Sequence, residues 1–481
     1  MLSFAPKPAT EPQFVGSNAC QGCHNSIYTT WKASQHAKMY NDAVDPALVI
    51  GDFSQSPTIT SGTYAVQVTL NDNGGGGPYT VSFLGKTFQV MRLHGGQPTA
   101  QNADVRSPTK AGHSQFLGKQ RYQTVIDGRY YILPVQWNPT ADLDGGSQGW
   151  VSYHPGDWID SQTGQLKSSE GPDLLQNEER RCAGCHQVGV KPAYDAGNGV
   201  YTAEITEPNI GCEACHGPGG DHVASGGNTS LITNPDELEV ARRNDVCGQC
   251  HSRGNSVGKD GPKSYGYPFA NGRTFRPGDN LDDFFTDAGG YWGDGTSKQH
   301  HQQFADFQKS KHVHSLTCWT CHDPHGSENE HALRTTARDN SLCAGCHPAK
   351  NSTAHTNHAL PTLANESPRC VDCHMPAVQK SGVNYDIHAH TFEVLLPDKT
   401  LRYGMPNACA LCHRNNEHNE GVADTNIANW SEASDTVIAN WVKTFSDTWY
   451  PPELTADLNG DGVVDAEDLI LFQEQWHGEA H

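Results

Sequence analysis

The sequence predicts a mostly irregular fold of short α-helices, joined to a small antiparallel β-domain and a C-terminal helix with an acidic loop. Three observations predict it. Only 35% of the 481 residues are apolar, which is little for a chain long enough for about two to four domains. The 49 glycines and 28 prolines indicate many loops. Sixteen cysteines and 26 histidines do not fit a disordered chain, so a non-protein group is expected to fill the core.

All sixteen cysteines occur in pairs with the spacing Cys-x-x-Cys, and a histidine directly follows each pair. Residues three apart on a helical turn point the same way, so two thiols can bond the two vinyl groups on one porphyrin edge. The next imidazole then faces the iron as its proximal ligand. The motifs therefore predict eight c-type haems. Numbered along the chain, motifs 1 to 8 are Cys20/Cys23/His24, Cys182/Cys185/His186, Cys212/Cys215/His216, Cys247/Cys250/His251, Cys318/Cys321/His322, Cys343/Cys346/His347, Cys370/Cys373/His374 and Cys409/Cys412/His413.

Other uses of paired cysteines fit the pattern less well. Zinc ribbons and thioredoxin-like sites also contain Cys-x-x-Cys, but neither requires a histidine directly after the second cysteine. A disulfide framework would not select this spacing, because cysteines on adjacent turns constrain little when they are bonded to each other.

The motifs divide the chain into four expected domains. Residues 1–50 form an N-terminal segment with one haem, and 51–170 form a β-rich domain without a haem motif. In that domain alternating strands are expected near 63–70, 79–83, 87–90, 122–126 and 130–135, with turns at 71–78 and Asp127-Gly128. Residues 171–420 form a seven-haem domain in which short helices carry the motifs and the haems form the core. Residues 421–481 contain a helix from Ser431 to Phe445 and the acidic loop.

The acidic loop has the spacing of a calcium site. Oxygen donors occupy loop positions 1, 3, 5, 9 and 12, and Gly462 at position 6 allows the sharp turn. Position 12 is an aspartate, as in the dockerin repeats that this segment resembles, but only one loop is present where dockerins have two. A local calcium site that stiffens the C-terminus is therefore favoured over cohesin binding, and an unoccupied acidic turn is the remaining alternative. The expected ligands are Asp457, Asn459, Asp461, Asp465 and Asp468, with the carbonyl of Val463.

Eighteen histidines lie outside the motifs and are the supply of second axial ligands. A second histidine on the iron gives an electron carrier, whereas an open iron can bind a substrate. By sequence neighbourhood we expect the distal ligands to be His36, His222, His325, His312, His301, His358 and His390. The eighth is expected from the β-domain, where His94, His113 and His154 are candidates and His113 is preferred. His300, His355 and His388 are close rivals, and methionine ligation is open at Met39 or Met91.

Charge and hydropathy limit the partners and the location. The formal net charge of −21 argues against nucleic acid or anionic lipid as a partner. No apolar run reaches the roughly 18 residues that span a bilayer. The first residues show no signal peptide, yet haem attachment to cysteine pairs takes place outside the cytoplasm. We therefore expect a secreted, extracellular or periplasmic protein whose leader is absent from this sequence.

Several segments resemble a known group of proteins. The segment 20–37 (CQGCHNSIYTTWKASQHA) is similar to the opening of multihaem cytochromes related to the tetrahaem cytochrome of ammonia oxidisers. The strings KQRY at 119, YILPVQWN at 131, CEACHGPG at 212, TCHDPH at 320 and CVDCHMP at 370 are similar to those of octahaem members. The resemblance extends from about residue 14 to 415. It implies a chain of bis-histidine haems, and some relatives polymerise outside the cell into conductive filaments.

The resemblance leaves an enzyme as the alternative. Octahaem nitrite reductases have a lysine in place of one motif histidine, whereas this chain has histidine in all eight motifs. Hydroxylamine oxidoreductases keep one open haem and a crosslinked tyrosine, and no tyrosine can be assigned to that role here. We therefore expect extracytoplasmic electron transfer to other electron-transfer proteins or to copies of the same chain in a head-to-tail filament. A soluble octahaem oxidoreductase of nitrogen compounds is the alternative.

Overall fold

The computed structural model describes residues 12–41, 45–96, 119–138, 149–167, 177–337, 339–356, 358–362, 367–380 and 387–408. Motif 8, His113, the helix expected at 431–445 and the acidic loop at 457–468 lie outside them. In the described residues the helices are short and the sheets are small and antiparallel, as the sequence predicts.

The described α-helices, numbered in chain order, have four to nine residues. Glycine, proline and the motif turns interrupt the helical pattern before it can extend. Their bounds are α1 (Asn25–Ala33), α2 (Glu178–Arg181), α3 (Ala183–His186), α4 (Cys212–His216), α5 (Gly220–Ala224), α6 (Val240–Arg243), α7 (Asp245–Gly248), α8 (Gln303–Phe307), α9 (Cys318–Cys321), α10 (Ser341–Ala344), α11 (Thr353–Thr356), α12 (Cys370–His374) and α13 (Pro397–Tyr403). Single 3-10 turns lie at Ser17–Ala19, His36–Lys38, Pro46–Leu48, Pro155–Asp157, Thr229–Leu231, Pro235–Glu237, Leu281–Asp283, Lys311–His314, Glu330–Ala332 and Pro348–Lys350.

The strands between residues 40 and 152 form one five-stranded sheet and two smaller ones, all antiparallel. The strands are β1 (Tyr40–Asn41), β2 (Thr58–Ser61), β3 (Tyr64–Gln67), β4 (Thr69–Asn71), β5 (Thr80–Phe83), β6 (Lys86–Gln89), β7 (Arg92–Gly95), β8 (Gln120–Ile126), β9 (Arg129–Asn138) and β10 (Gly149–Ser152). The five-stranded sheet has the order β1-β7-β8-β9-β10. All five predicted strands are therefore present, although β1, β2, β7 and β10 have no counterpart in the prediction.

The turn between β8 and β9 follows directly from its sequence. Asp127 and Gly128 have φ angles of 50° and 77°. A two-residue hairpin turn with both central φ angles positive matches the right-handed twist of the strands, and Asp-Gly is a preferred pair for it. This hairpin sets the register that places Gln123 opposite Ile132, and an irregularity between Arg121 and Gln123 then shifts the pairing so that Gln120 lies opposite Trp137.

The β-rich part has its own apolar core of sixteen buried residues. Ile59, Leu93, Tyr122, Leu133 and Trp158 are fully buried at its centre. By contrast, the apolar clusters described between residues 183 and 408 contain three to six buried residues each. An ordinary side-chain core is therefore concentrated in the part without haem motifs.

The second half contains only two-stranded sheets among its described residues. They pair β11 (Gln187–Val188) with β14 (Glu207–Pro208), β12 (Lys191–Asp195) with β13 (Val200–Glu204), β15 (Gly254–Ser256) with β18 (Phe285–Asp287), β16 (Phe269–Ala270) with β17 (Arg273–Thr274) and β19 (Ala377–Gln379) with β20 (Ile387–His388). Across the described ranges, the helices are all too short or too polar to cross a membrane.

Candidate haem-binding sites

Each of the seven described motifs forms a single helical turn. In motifs 1, 2, 4, 5 and 6 the histidine N–H donates to the carbonyl of the first cysteine at 2.9–3.1 Å. Motifs 3 and 7 lie wholly within α4 and α12. This i to i−4 bond is the α-helical bond, and it places both thiols on one side with the imidazole next to them. The local geometry that haem attachment requires is therefore present.

The fourteen described cysteines are thiols rather than disulfides, and none is fully buried. They correspond to the sulfur atoms that would carry the thioether bonds. The described residues contain no group of three or more histidine, cysteine or acidic side chains that could hold a metal ion. The zinc-ribbon and disulfide alternatives therefore gain no support from the geometry.

The motif cysteines differ in their exposure. Most of the described ones are half-buried, including Cys373 of motif 7, whereas Cys23 of motif 1 and Cys346 of motif 6 are exposed. A haem attached through Cys23 would therefore have that edge at the protein surface. The sequence predicts the haems as a buried core and gives no sign of this difference between Cys23 and Cys373.

Motif 8 is the predicted attachment site on which the structure gives no information. Its residues Cys409, Cys412 and His413 lie outside the described residues, as does His113, the histidine expected to supply an eighth distal ligand. Haem attachment at Cys409 and Cys412, and iron ligation by His413, stay predictions from the sequence.

Five motif histidines each face one histidine from outside the motifs, with ring centroids 6.0–6.5 Å apart. The pairs are His24 with His222, His216 with His325, His322 with His390, His347 with His312 and His374 with His355. Two imidazoles on one metal ion have centroids about 6.4 Å apart, given metal–nitrogen bonds of about 2.0 Å and about 1.2 Å from nitrogen to centroid. The spacing therefore fits an iron between each pair.

Hydrogen bonds orient several of these rings. Nδ1 donates at 2.9 Å to a backbone carbonyl in His216, His222, His322 and His390, and the acceptors are Thr233, Asn228, His331 and His388. This bond fixes the tautomer and leaves Nε2 free to bind a metal. Metal-ligating histidines usually have such a partner on the other nitrogen.

Burial also keeps these imidazoles in the form that binds a metal. Removal from water lowers the pKa of His390 to about 3, and the same cause lowers the pKa values of His216 and His322. Metal binding needs a neutral imidazole, so the environment fits an axial ligand.

In the structure, only some of the expected distal ligands face a motif histidine. His222, His312, His325 and His390 each face a motif histidine. His355, one of the rivals, faces His374, whereas His358 is bonded through Nδ1 to the carbonyl of Thr356. His36 donates to the carbonyl of Pro324 and lies within electrostatic range of His251.

Motif 2 has a different environment from the paired motifs. His186 contacts His94 in an edge-to-face arrangement, with centroids only 4.7 Å apart and ring planes at 77°. His301 stacks on its neighbour His300 at 4.0 Å and lies within electrostatic range of both His186 and His251. His94 and His301 therefore both lie near motif 2, and neither forms a ring pair with the spacing of the other five.

Thiols of different motifs contact one another. The first cysteines lie beside one another in three pairs, Cys20 with Cys212, Cys247 with Cys318 and Cys343 with Cys370. These contacts join motif 1 to 3, motif 4 to 5 and motif 6 to 7. Because each cysteine would hold one edge of a porphyrin, paired thiols bring two such edges together.

Second cysteines make the remaining links. Cys250 lies beside Cys185 and interacts electrostatically with Cys215, while Cys321 interacts electrostatically with Cys346. These contacts join motif 4 to motifs 2 and 3, and motif 5 to 6. The described motifs therefore follow the spatial order 1-3-4-5-6-7, and motif 2 is a side branch on motif 4.

A repeated hydrogen bond aligns the three first-cysteine pairs. Ser17, Asn244 and Asn340 each lie three residues before the first cysteine of motifs 1, 4 and 6. Their side-chain oxygens accept from the backbone N–H of Cys212, Cys318 and Cys370 at 3.0, 3.0 and 2.7 Å, respectively. Those cysteines begin α4, α9 and α12, where the N–H groups have no partner within the helix. One motif thus supplies the helix cap of its partner, and no pattern in the sequence predicts these caps.

Comparisons with known proteins agree with this geometry. Residues 19–48 and 155–217 match the family model described as cytochrome c554 and c-prime, and residues 311–352 match a doubled CXXCH motif. A multiheme cytochrome MtrA of Shewanella baltica (strain OS185) is 31% identical over 179 residues, which are 35% of this chain and 52% of the relative. The chain thus spans about half the length of that relative.

The fold is similar to that of a solved structure. The outer cell wall cytochrome OcwA superposes with a TM-score of 0.55 at 21% identity, over 90% of each chain. An undecaheme cytochrome from the S-layer of Carboxydothermus ferrireducens gives a TM-score of 0.39 at 18% identity, over 98% of this chain and 70% of the other. The OcwA likeness extends the agreement from the motifs to most of the chain.

Proposed function

Because the chain is a multihaem c-type cytochrome, we propose that it transfers electrons outside the cytoplasm along eight bis-histidine haems. The observation that carries this proposal is the set of five histidine pairs at 6.0–6.5 Å. Bound haems supply one-electron iron couples. The protein attaches them through the motif cysteines and closes both axial positions with imidazoles, which excludes substrate from the iron.

The ligand assignment follows the ring pairs. We assign motifs 1, 3, 5, 6 and 7 the distal ligands His222, His325, His390, His312 and His355, respectively. His358, whose Nδ1 also donates to a backbone carbonyl, remains a candidate ligand. We assign His36 to motif 4, since its ring is oriented by Pro324 and lies near His251. His301 remains a candidate for motif 2, and His113 for motif 8.

The order of the motifs supports a defined route. Electrons would pass through motifs 1, 3, 4, 5, 6 and 7, because a thiol of each motif lies within electrostatic range of a thiol of the next. Short separations favour fast transfer. The proposed partners are other redox proteins or further copies of this chain at the two ends of the route.

We further propose head-to-tail assembly into a filament. The β-rich part and the C-terminal extension carry no haem motif, and the resemblance to filament-forming cytochromes suggests that they make the contacts between subunits. A filament needs an interface between two different surfaces whose rotation does not close a ring. The calcium loop at 457–468 would stiffen the C-terminal contact region. Electron microscopy of the secreted protein is expected to show filaments, and a population of monomers alone would contradict this part of the proposal.

Two neighbouring histidines provide the sharpest test of the ligand assignment. His312 faces His347, whereas His314, two residues later on the same 3-10 turn, is exposed and makes no such pair. We expect the wild-type holoprotein to carry eight covalent haems by mass and to be low-spin by electron paramagnetic resonance. His312→Ala should convert one haem to high spin, and His314→Ala should not. A low-spin His312→Ala protein, or fewer haems in the wild type, would contradict the proposal.

A further inference from the structure

Motif 2 ends a side branch among the described motifs. Its second cysteine, Cys185, lies beside Cys250 of motif 4, whereas its first cysteine, Cys182, interacts electrostatically with charged side chains. In the other described motifs the first cysteine lies beside the first cysteine of a partner motif. A haem on motif 2 would therefore have one neighbouring haem among the described motifs and charged groups near its attachment edge.

Two half-buried arginines from different elements converge on motif 2. Arg121 lies on β8 directly opposite His94, whose ring lies 4.7 Å from that of His186, the motif histidine. Arg121 is also within electrostatic range of His186 itself. Arg253 follows motif 4, and both arginines lie within electrostatic range of His301, the candidate distal ligand of motif 2. The positive charges are therefore near both sides of the expected iron position.

A third arginine belongs to the same group. Arg181 directly precedes Cys182 and interacts electrostatically with it. Burial, together with the charge of Arg181, lowers the pKa of Arg253. Three cations thus lie close enough to repel one another.

These three arginines form no ion pair with an acid among the described residues, unlike several arginines elsewhere. Arg92, Arg242, Arg273, Arg334 and Arg369 each lie within 4.0 Å of an aspartate or glutamate oxygen. Three of these paired arginines, Arg242, Arg334 and Arg369, lie close to motifs 4, 5 and 7 in the sequence. Among the described motifs, an excess of positive charge therefore distinguishes motif 2.

The acids near motif 2 do not cancel this charge. Glu178 interacts electrostatically with Cys182, but it lies 3.3 Å from Arg92, which offsets its charge. Asp157 interacts with His154, a further histidine of this region. The charge around motif 2 is thus locally positive in a chain of net charge −21.

Positive charge near a haem favours its reduced form, because the iron carries one positive charge less after reduction. Partial burial strengthens the effect, since water and salt screen buried charges less. Arginines that pair with the propionates of the same haem act in the same direction, because they neutralise charges that favour the oxidised form. The sign of the effect is therefore the same whether or not the guanidinium groups contact propionates.

We propose that motif 2 is an electron-storing site, in which Arg121, Arg181 and Arg253 raise the reduction potential above that of motif 4. One electron would pass from the motif 4 site to the motif 2 site. The donor iron is oxidised from ferrous to ferric and the acceptor iron is reduced from ferric to ferrous, with no bond formed or broken. Since motif 4 is the only described neighbour of motif 2, the electron returns the same way. The inference rests on the proposed function and adds a store beside the through-route.

The first test compares two potentials in the holoprotein by a redox titration followed by haem absorption. Cys182→Ala with Cys185→Ala removes the attachment of motif 2, and Cys247→Ala with Cys250→Ala removes that of motif 4. Each double variant should lose one reduction step. We expect the step lost with motif 2 to lie at the higher potential, and the opposite order would overturn the proposal.

The second test removes the charges and keeps every cysteine, so it applies even where a cysteine variant yields no folded protein. At a fixed potential, Arg121→Gln and Arg253→Gln should each lower the ratio of reduced to oxidised haem at one step on the order of 10-fold, which is about 59 mV for one electron. Arg121→Lys keeps the positive charge and should shift this step less than Arg121→Gln does. Equal shifts in the two Arg121 variants would show that charge is not the cause and would overturn the proposal.

The controls separate a local effect from a general effect of charge. Arg402→Gln removes an exposed arginine on α13 and should leave every step in place, so an Arg121→Gln shift no larger than that of Arg402→Gln would also overturn the proposal. The haem count and the low-spin signals of the wild type test the proposed function separately. A wild type that has both, but whose motif 2 step lies below the motif 4 step, would contradict only this inference.

Discussion

Glu178 is the most completely buried acid near motif 2. It is 2% exposed, and Arg92 lies 3.3 Å from it while Gln123 and Gln187 donate to its carboxylate. Removal from water nevertheless dominates and raises the pKa of Glu178 to about 7, although the charge of Arg92 acts in the opposite direction. The folded protein therefore keeps a proton that the unfolded chain releases near pH 4.3.

The sign of the resulting pH dependence follows from proton counts. Between about pH 4.3 and about pH 7 the folded state binds one more proton than the unfolded state, so the free energy of unfolding falls as pH rises through this window. The total loss is on the order of 3 kcal/mol. We expect Glu178→Gln to remove this slope in denaturant unfolding between pH 4.5 and 7.5. Glu204→Gln, which alters an exposed acid on β13, should retain it, and an unchanged slope in Glu178→Gln would contradict the assignment.

At the scale of residues, the sequence predicts the motif histidines but not the pairing of the distal ones. The role of a motif histidine can be predicted from its position after the second cysteine, because the histidine and both cysteines lie on one helical turn. A distal partner depends on tertiary structure. His325 follows motif 5 in sequence but faces His216 of motif 3, and His312 precedes motif 5 but faces His347 of motif 6. Neighbourhood in the sequence therefore selected four histidines that face a motif histidine, without showing which motif each one faces.

At the scale of elements, the caps between motifs determine how two helical turns meet. Asn244 and Asn340 are 2% and 1% exposed, and each accepts the first N–H of a partner helix. An N-cap normally comes from the residue before its own helix. The helices α9 and α12 have such capping boxes at Thr317 and Arg369, and the bond to their first N–H comes in addition from another motif. This bond would fix the position of one porphyrin edge relative to the next.

Removal of one such cap should change both stability and redox behaviour. We expect Asn340→Ala to lower the free energy of unfolding by about 1–3 kcal/mol, because the N–H of Cys370 loses its acceptor. It should also change the splitting between the potentials of two haems, because the helix of motif 7 is no longer held against motif 6. Voltammetry and guanidinium unfolding measure the two effects.

A variant of a cap that lies outside the motifs distinguishes an effect on haem position from an effect on protein stability alone. Asn234→Ala removes an exposed side chain that caps the 3-10 turn Pro235–Glu237. This variant should lose stability but keep every haem potential. If Asn340→Ala also leaves all potentials unchanged, its role is only to stabilise the helix.

The strands were predicted where alternation was clear and missed where it was not. β8 and β9 are long and joined by Asp127-Gly128, so their pattern is visible in the sequence. β1 has two residues, and β7 has only four residues that run into Gly95 and Gly96. Yet β7 carries His94, and the register of the sheet alone places it between Tyr40 and Arg121. The site around motif 2 could not be predicted from the sequence because its residues come from separate strands and loops.

At the scale of the whole molecule, composition and packing give one consistent description. The largest apolar cluster lies in the β-rich part, whereas the described motif-bearing part contains only small clusters. Between those clusters the motif turns contact each other through their cysteines. We propose that the haems complete this core, so that the row of motifs both holds the fold together and sets the electron route.

Selective removal of single haems tests the branched order. Cys318→Ala with Cys321→Ala removes the attachment of motif 5, which lies between motifs 4 and 6 on the route. Cys182→Ala with Cys185→Ala removes the attachment of motif 2, which contacts only motif 4 among the described motifs. The two double variants lose the same number of thioether bonds, so each is the control for the other.

The readout is the number of haems that exchange electrons with an electrode at a fast scan rate, for protein anchored through an N-terminal tag near motif 1. Without motif 5, the haems of motifs 6 and 7 should drop out of fast exchange, because a gap in the row lengthens the transfer step between motifs 4 and 6. Without motif 2, every remaining haem should still exchange. Loss of the motif 6 and 7 signals in the motif 2 variant would show that the route passes through the branch, and the order inferred from the cysteine contacts would then be wrong.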